Sequence, residues 1–371
     1  MTESRSVVVT GASRGLGLAS AAHLYRNGWR VVAAMRSVDK GMAALHAETG
    51  AAVDDPRLIG VRLDLVDEDS VAAAAAAIEE AVGAPDAIVH NAGIASAGTV
   101  EETPMELWRQ MFETHLFGPV ALTKALLPGM RAAGRGRIVV ISSAGGVRGM
   151  PAIAAYSAAK GATERWAESM AGEIAAFGLG VTVIVTGVFD TEIITDDGLQ
   201  TFRDFDGPYG RHHTTIDKRG RMAMKIASPP AKFAKVLAKA LGDKKPYVKR
   251  AAGMDATSLM VTNRLLPARG MHQVSRVAMG LPKQGEMRPG AFKLGLGTRA
   301  MIGAAKVIPQ PVMQRIVVLV MKFQKPSTPA AMTRPRESEQ DEVNDAGTAS
   351  AAEVESAPST NGHNEGSTIN G

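Results

Sequence analysis

Short apolar runs alternate with longer stretches of helical periodicity over residues 1–250. The apolar runs are SVVVT (6–10), RVVAAM (30–35), LIGVRLD (58–64), DAIVHNAG (86–93), RIVVISS (137–143) and GVTVIVTG (180–187). Among the intervening segments, the pattern predicts helices at about 67–82, 103–133 and 152–177. Runs that are apolar on both faces indicate parallel strands covered by helices. The alternation therefore predicts an α/β fold with a single doubly wound, parallel-sheet (Rossmann) domain.

The pattern changes after residue 188. Residues 188–228 combine glycine, proline, charged residues and two adjacent histidines, which predicts a long loop with short helical pieces. PPAKFAKVLAKAL (229–241) predicts a helix opened by proline, and PYVKRA (246–251) predicts a last strand. We expect a main domain at 1–253, a basic, methionine-rich helical extension at 254–324 and a disordered acidic tail at 325–371.

Charge divides the chain in the same way. Residues 1–243 are nearly neutral, whereas 244–324 carry 14 basic and 2 acidic residues and 325–371 carry 3 basic and 8 acidic residues. The chain contains no cysteine, which excludes disulfides, thiolate metal sites and a cysteine nucleophile, and no metal site is predicted. Its first residues have no basic region followed by a long apolar stretch, so we expect no secretory signal and a cytoplasmic location.

A glycine cluster, TGASRGLG, follows the first predicted strand and opens the first helix. Gly11 permits a tight turn, and Gly15 and Gly17 let backbone N–H groups approach a pyrophosphate at the helix N-terminus. The intervening side chains, Ser13, Arg14 and Leu16, belong to the same predicted dinucleotide-binding turn.

The residues after the second strand indicate which dinucleotide binds. NAD binding usually requires a carboxylate near the end of that strand, yet Arg36 stands there and the first acid, Asp39, comes later. Two guanidiniums, from Arg14 and Arg36, suit a ribose 2′-phosphate because they form charge-assisted contacts. We therefore predict NADP(H) rather than NAD(H). The alternative interpretation is that both arginines are merely solvated.

The glycine cluster, NAG at 91–93, Ser143 and YSAAK at 156–160 together resemble the short-chain dehydrogenase/reductase family. The resemblance covers residues 5 to about 250, and several spaced motifs agree in order. The HLFGPVALTKALLPGM and RIVVISSAGG segments resemble branches that act on steroids, retinoids and other apolar alcohols or ketones. The resemblance implies that residues 1–253 form a dinucleotide-binding and catalytic domain.

Tyr156 and Lys160 stand one helical turn apart, which gives the resemblance a chemical meaning. Ketone reduction needs a proton on oxygen, and a phenol of pKa about 10 can supply it more readily when an ammonium nearby favours the phenolate. In the family the lysine also binds the nicotinamide ribose and the serine hydrogen-bonds the substrate oxygen. The spacing assigns the serine role to Ser143, with Ser142 as the alternative.

Other cofactor residues are implied by the resemblance alone. The set comprises Asp64 and Leu65 at the adenine, Asn91, Ala92 and Gly93 in the turn that supports the cofactor, and Val188 and Thr191 near the carboxamide. Two positions depart from the family. His115 replaces the usual asparagine that bends the long helix and holds a relay water, and Thr186 precedes Gly187 where proline is usual. His115 either supports a proton relay, through its carbonyl or a ring nitrogen, or is inert.

The sequence thus predicts an NADP(H)-dependent oxidoreductase that interconverts an apolar secondary alcohol and ketone, with Tyr156 as acid and base. The competing hypothesis is a non-catalytic dinucleotide-binding redox sensor or scaffold. The extension at 254–324 mixes basic residues with aliphatic and methionine side chains. It either packs on the domain or on another subunit of a homo-oligomer, or docks on an anionic membrane surface at the inner face. No nucleic acid partner is expected, because aromatic residues are few.

Overall fold

A computed structural model describes residues 4–192 and 199–288. The strands are β1 (Ser6–Thr10), β2 (Arg30–Met35), β3 (Leu58–Arg62), β4 (Ala87–His90), β5 (Ala95–Ala97), β6 (Gly136–Ser143), β7 (Leu179–Thr186), β8 (Leu199–Thr201) and β9 (Tyr247–Ala252). The α-helices are α1 (Gly15–Arg26), α2 (Val38–Thr49), α3 (Glu68–Val82), α4 (Met105–Phe112), α5 (Gly118–Ala133), α6 (Ala144–Val147), α7 (Ala154–Ile174), α8 (Gly210–Met224), α9 (Pro230–Leu241), α10 (Met254–Leu265) and α11 (Ala268–Met279).

Seven strands form one parallel sheet in the order β3-β2-β1-β4-β6-β7-β9. One core packs α1, α2 and α9 on one face of the sheet, and the other packs α3, α5 and α7 on the opposite face. The strand order reverses between β1 and β4, and ligands of such sheets bind outside the carboxyl ends of the strands at this point. The predicted doubly wound α/β fold is confirmed.

Two predicted segments differ in the structure. The long helix expected at 103–133 is interrupted, because residues Glu113–Phe117 form a π-helical turn between α4 and α5. Within 188–228, where short helical pieces were expected, α8 extends over 15 residues and β8 pairs in parallel with β5. Both differences depend on contacts with residues distant in sequence, which local periodicity cannot indicate.

The described part of the C-terminal extension packs on the domain. Ala256 of α10 is fully buried in the core on the sheet face that α3, α5 and α7 cover, and Met271 of α11 is 2% exposed. The remainder of the extension and the predicted disordered tail lie outside the described residues. In the described part of the chain, no helix combines the length and apolar character needed to cross a membrane.

Candidate active site

The glycine turn between β1 and α1 has no room for side chains. Gly11 and Gly15 have φ of 66° and 54°, the left-handed region that favours glycine. A Cβ on Gly11 would lie 2.8 Å from the Cα of Ala92, and one on Gly17 would overlap the Gly11 carbonyl oxygen. Arg14 is the N-cap residue of α1, and its side chain forms no capping hydrogen bond. The backbone N–H groups of the first helical turn are therefore left to bind a ligand. This geometry fits a pyrophosphate.

The predicted turn at 91–93 forms hydrogen bonds with the first residues of the glycine turn. Asn91 Nδ2 donates to the carbonyl oxygens of Thr10 at 2.9 Å and Gly11 at 3.3 Å. The Thr10 hydroxyl in turn accepts the backbone N–H groups of Asn91 at 3.1 Å and Ala92 at 3.0 Å. Thr10 is a supporting residue that our sequence reasoning missed, although it begins the TGASRGLG motif. These contacts join the ends of β1 and β4.

At the adenosine end, Arg36 lies exposed directly after β2. It stands beside the N-terminus of α2, where a helix dipole favours an anion. Ser13 lies nearby, because a Cβ on Gly41 of α2 would be 3.0 Å from the Cβ of Ser13. Arg36 has no hydrogen-bond or ion-pair partner among residues 4–192 and 199–288. Arg36 and the start of α2 therefore fit a 2′-phosphate.

Arg14 lies at the glycine turn, whereas Asp64 and Leu65, which the resemblance places at the adenine, follow β3. The Arg14 guanidinium pairs with Glu192 at 3.2 Å, and both side chains are more than half exposed. An exposed ion pair contributes little free energy, so the arginine can exchange it for a phosphate. Asp64 lies just beyond β3, where its Oδ1 accepts the Val66 N–H at 3.3 Å. Leu65 is buried beneath Gly118.

At the nicotinamide end, only one of two predicted contacts faces the glycine turn. The Thr191 side chain lies 3.3 Å from where a Gly15 Cβ would be, across the mouth of the turn. The Val188 N–H instead donates to Asp255 Oδ2 of α10 at 2.7 Å. The contact of Val188 with the cofactor stays a prediction, and its backbone N–H is already bonded to the extension. Sequence reasoning missed Asp255, since it belongs to a segment beyond the recognised motifs.

Ser143, Tyr156 and Lys160 converge at the end of β6 and the start of α7. Ser143 Oγ accepts the Gly145 N–H at 3.3 Å and hydrogen-bonds Tyr156. Lys160 Nζ lies 5.9 Å from the Tyr156 ring centroid and donates to the Ile141 carbonyl at 2.7 Å. Burial raises the pKa of Tyr156, and the Ser143 hydrogen bond partly offsets this. Burial also lowers the pKa of Lys160 to about 8.

Ser142, the alternative to Ser143, points into the protein. Its side chain is buried, and its hydroxyl donates to Glu164 Oε1 at 2.7 Å. The adjacent Ser143 takes the opposite direction, as successive residues of a strand do. Ser143 is thus the hydroxyl that lies with Tyr156.

His115 lies in the π-helical turn, with its ring 5.5 Å from that of Tyr156. Its Nε2 is 2.9 Å from the Ile94 carbonyl oxygen, and its own carbonyl accepts the Thr163 hydroxyl at 2.9 Å. Burial, assisted by the charge of Lys160, holds the pKa of His115 well below its usual value, so the ring is neutral. Its buried Nδ1 has no hydrogen-bond partner in the described part of the chain.

A second group of contacts joins residues 99–103 to α8, two segments that are distant in the sequence. His213 of α8 is fully buried, and its Nε2 lies 2.8 Å from each carboxylate oxygen of Glu102. Burial opposes ionisation of Glu102, but hydrogen bonds from Thr99 and His213 lower its pKa to about 2. The histidine pair at 212–213 was noticed in the sequence only as a loop feature, and nothing linked it to a glutamate 111 residues away.

A cavity of about 540 Å³ lies between α6, the first turns of α7 and α11. Its lining is mainly apolar and includes Trp108, Met150 and Pro151, together with Arg276 of α11. Gly145, which also lines it, lies against the Tyr156 ring, because a Cβ there would be 3.3 Å from Tyr156 Cε1. The C-terminal extension thus forms one wall of an apolar space next to the phenol.

Comparisons with known proteins agree with this geometry. The sequence model of a family described as short chain dehydrogenase matches residues 5–200. Dehydrogenase/reductase SDR family member 7B of Xenopus tropicalis is 38% identical over 202 residues, which cover 52% of this chain and 64% of the relative. Retinol dehydrogenase 8 of Bos taurus is 30% identical over 286 residues, or 72% of this chain and 88% of the relative.

A solved structure extends the match. The short-chain dehydrogenase from Streptomyces avermitilis superposes with a TM-score of 0.64 and 31% identity, covering 76% of this chain and all of that one. Members of this family are oxidoreductases that bind a nicotinamide dinucleotide, which agrees with the glycine turn and with the Ser143, Tyr156 and Lys160 cluster. The chain belongs to the short-chain dehydrogenase family.

Proposed function

We propose that this protein is an NADP(H)-dependent oxidoreductase that interconverts an apolar secondary alcohol and the corresponding ketone. The convergence of Ser143, Tyr156 and Lys160 carries the proposal. A scaffold or redox sensor would need the glycine turn but would have no use for a half-buried phenol that is hydrogen-bonded to a serine and lies beside a buried ammonium. The intact cluster therefore favours catalysis over the non-catalytic alternative.

The residues divide the chemistry between them. A nicotinamide dinucleotide held by the glycine turn would supply or accept the hydride. In reduction, Ser143 and Tyr156 hydrogen-bond the substrate oxygen, and the Tyr156 hydroxyl gives it a proton. Lys160 stabilises the resulting phenolate through its charge, and in oxidation the same phenolate accepts the proton of the alcohol. Proton transfer by a placed acid commonly contributes about 10² to 10⁴ in rate.

The choice of NADP(H) rests on Arg36. It lies exposed beside the α2 N-terminus, where a carboxylate would be expected for NAD. A guanidinium next to a helix N-terminus stabilises a phosphate by charge and by hydrogen bonding. Arg14 adds a second cation at the glycine turn once it leaves Glu192.

The substrate class rests on the cavity beside Tyr156. Trp108, Met150 and Pro151 offer an apolar surface to the body of a ketone. Gly145, in the same lining, lies against the Tyr156 ring. Such an arrangement suits a ligand with one polar oxygen on an apolar frame. The name of the bovine relative, a retinol dehydrogenase, agrees with an apolar alcohol.

His115 completes the proposed site as a relay residue. Its buried neutral ring lies against the Tyr156 ring, and its free Nδ1 can accept a hydrogen bond from a water near Lys160. The carbonyl of His115 already accepts from Thr163, so we assign the relay role to the ring. His115→Asn, which restores the amide usual in the family but removes the ring, is therefore expected to lower activity, and unchanged activity would show that the ring is not required.

The test is NADPH oxidation with a panel of apolar ketones. Wild-type protein is expected to oxidise NADPH with at least one of them, and Tyr156→Phe to lose about 10² to 10⁴ in rate while NADPH binding, followed by its fluorescence, survives. Tyr209→Phe serves as the matched control, because Tyr209 is a half-buried tyrosine outside the cluster whose hydroxyl donates to Glu101 at 2.7 Å. Equal losses of rate and cofactor affinity in Tyr156→Phe would contradict the assigned role.

We also propose that α10 and α11 dock on an anionic membrane surface. The side chains of Leu265 and Val277 are each 73% exposed, and they alternate with Arg264 and Arg276. Each basic residue near such a surface contributes roughly 1 kcal/mol, and apolar side chains add burial in the interface. Co-sedimentation with anionic vesicles at low salt should weaken in Leu265→Ser/Val277→Ser. It should persist in Val53→Ser, and binding that is equal in both variants would overturn the proposal.

A further inference from the structure

A buried carboxylate lies one helical turn after Lys160. Glu164 of α7 is 2% exposed, and its Oε2 accepts Lys249 Nζ of β9 at 2.6 Å. Its Oε1 accepts the Ser142 hydroxyl at 2.7 Å. Lys249 is only partly buried, but burying the Glu164 carboxylate costs more desolvation than burying a well-packed apolar side chain would, so its presence calls for a reason other than stability.

The same short segment of β6 links Glu164 to the catalytic groups. Lys160 Nζ donates to the carbonyl of Ile141, Glu164 binds the side chain of Ser142, and the next residue is Ser143. Thr186 of β7 donates to the Ser142 carbonyl at 2.8 Å and fixes this segment from the other side. A substitution of Glu164 therefore affects both the Lys160 ammonium and the position of the Ser143 hydroxyl.

The charges around Lys160 are few and can be named. On its own helix lie Tyr156 and Glu164, and from the π-helical turn comes His115, whose ring is neutral. On β6, the carbonyl of Ile141 accepts a hydrogen bond from Lys160. On β9, Lys249 forms an ion pair with Glu164 and partly cancels its negative charge. Lys160 forms no ion pair within residues 4–192 and 199–288. The negative charge that favours its protonated form comes from Glu164.

We propose that Glu164 is a positioning residue of the reaction. Its carboxylate, held by Lys249 and Ser142, keeps the Lys160 ammonium charged beside Tyr156 and fixes the end of β6 from which Ser143 projects. The catalytic consequence rests on the proposed function. The electrostatic arrangement itself is a property of the ligand-free chain and can be measured without turnover.

Two variants with opposite changes of charge test the proposal. Glu164→Gln removes a negative charge at nearly constant shape, and Lys249→Met removes the positive charge that partly cancels it. The readout is the titration midpoint of Lys160 in ligand-free protein, followed by NMR of lysine labelled with ¹³C at Cε and assigned with Lys160→Arg. We expect the midpoint to move to lower pH in Glu164→Gln and to higher pH in Lys249→Met, each on the order of one pH unit.

Kinetics give a second, dependent readout. Tyr156 and Lys160 interact, so their titration belongs to the pair, and removal of a negative charge lowers both macroscopic values. The pH profile of kcat/KM should therefore shift in the same opposed directions as the NMR midpoints. If wild-type protein reduces no ketone, the proposed function fails, yet the ligand-free titration still decides the role of Glu164.

Midpoints that stay unchanged, or move in the same direction in both variants, would overturn the proposal and leave Glu164 as a structural residue. If either single variant fails to fold, Glu164→Gln/Lys249→Met removes the pair together and avoids an unpaired buried charge. Because Glu164 is nearer to Lys160 than Lys249 is along this chain of contacts, the double variant should retain a lowered midpoint. A midpoint at or above the wild-type value would overturn the proposal as well.

Discussion

At the carboxyl end of β1 the glycine turn is held by hydrogen bonds between backbone groups and the neutral side chains of Asn91 and Thr10, whereas α8 is held by a contact between a buried histidine and a carboxylate. The Gly11 carbonyl, Asn91 and Thr10 form a continuous network in which glycines leave no space. Elsewhere in the described part of the chain, α8 contacts residues 99–103 chiefly through His213 and Glu102. We call the glycine turn with Thr10 and Asn91 the cradle. The cradle is closely packed and suits the part of a cofactor that does not vary, whereas the residues around α8 can vary without altering the sheet.

The largest effect is expected from filling the cradle. In Gly17→Ala, the added methyl would overlap the Gly11 carbonyl and lie 2.6 Å from Asn91 Nδ2. We expect NADPH affinity to fall on the order of 100-fold, equivalent to about 2.8 kcal/mol. Gly172→Ala is the control, because a Cβ there meets nothing within 4 Å and alanine favours the helix. Fluorescence titration measures both, and unchanged affinity in Gly17→Ala would show that the cradle is looser than described.

A change of cofactor should follow from one residue at the edge of the cradle. Arg36→Asp removes the cation proposed for the 2′-phosphate and supplies a carboxylate for a 2′-hydroxyl. The ratio of kcat/KM for NADPH over NADH should fall by about 10- to 100-fold. Lys40→Asp makes the same charge change one helical turn later and should leave the ratio nearly constant. An Arg36→Asp ratio equal to that of wild type would indicate a solvated arginine.

The pH dependence of ketone reduction tests the roles of Tyr156 and Lys160. Ketone reduction uses the protonated form of the Tyr156 and Lys160 pair, and burial sets the pKa of Lys160 to about 8. The value of kcat/KM for reduction is thus highest below about pH 8 and falls as pH rises above 8, by up to tenfold per pH unit. Measurement from pH 6 to 10 checks the sign. A reductive rate that increases above pH 8 would contradict the assignment of the proton donor.

The smallest effect is expected around α8. Glu102→Gln weakens the contact with His213 that fastens α8, so we expect KM for the ketone to rise about three- to tenfold while the NADPH dissociation constant is unchanged. Glu106→Gln, on the exposed face of α4, is the control. Loss of NADPH affinity in Glu102→Gln would mean that the cradle and the contacts of α8 are not independent.

The cradle and the catalytic cluster could be predicted because they depend on local sequence. Tyr156 and Lys160 are one helical turn apart, and the glycines directly follow a strand. The π-helical turn at 113–117 could not be predicted, because Ile94 and Thr163 hold His115 there from elsewhere in the chain. For the same reason, the contact of Asp255 with Val188 and that of His213 with Glu102 were found only in the structure.

The most direct test of the central claim follows the hydride itself. Apolar ketones are incubated with NADPH carrying two deuterium atoms at nicotinamide C4, and the products are examined by mass spectrometry. The account predicts an alcohol with one deuterium on its carbinol carbon, formed by wild-type protein and nearly absent with Tyr156→Phe. Protein that binds NADPH but forms no deuterated alcohol from any apolar ketone would contradict the claim and favour a non-catalytic, dinucleotide-binding role.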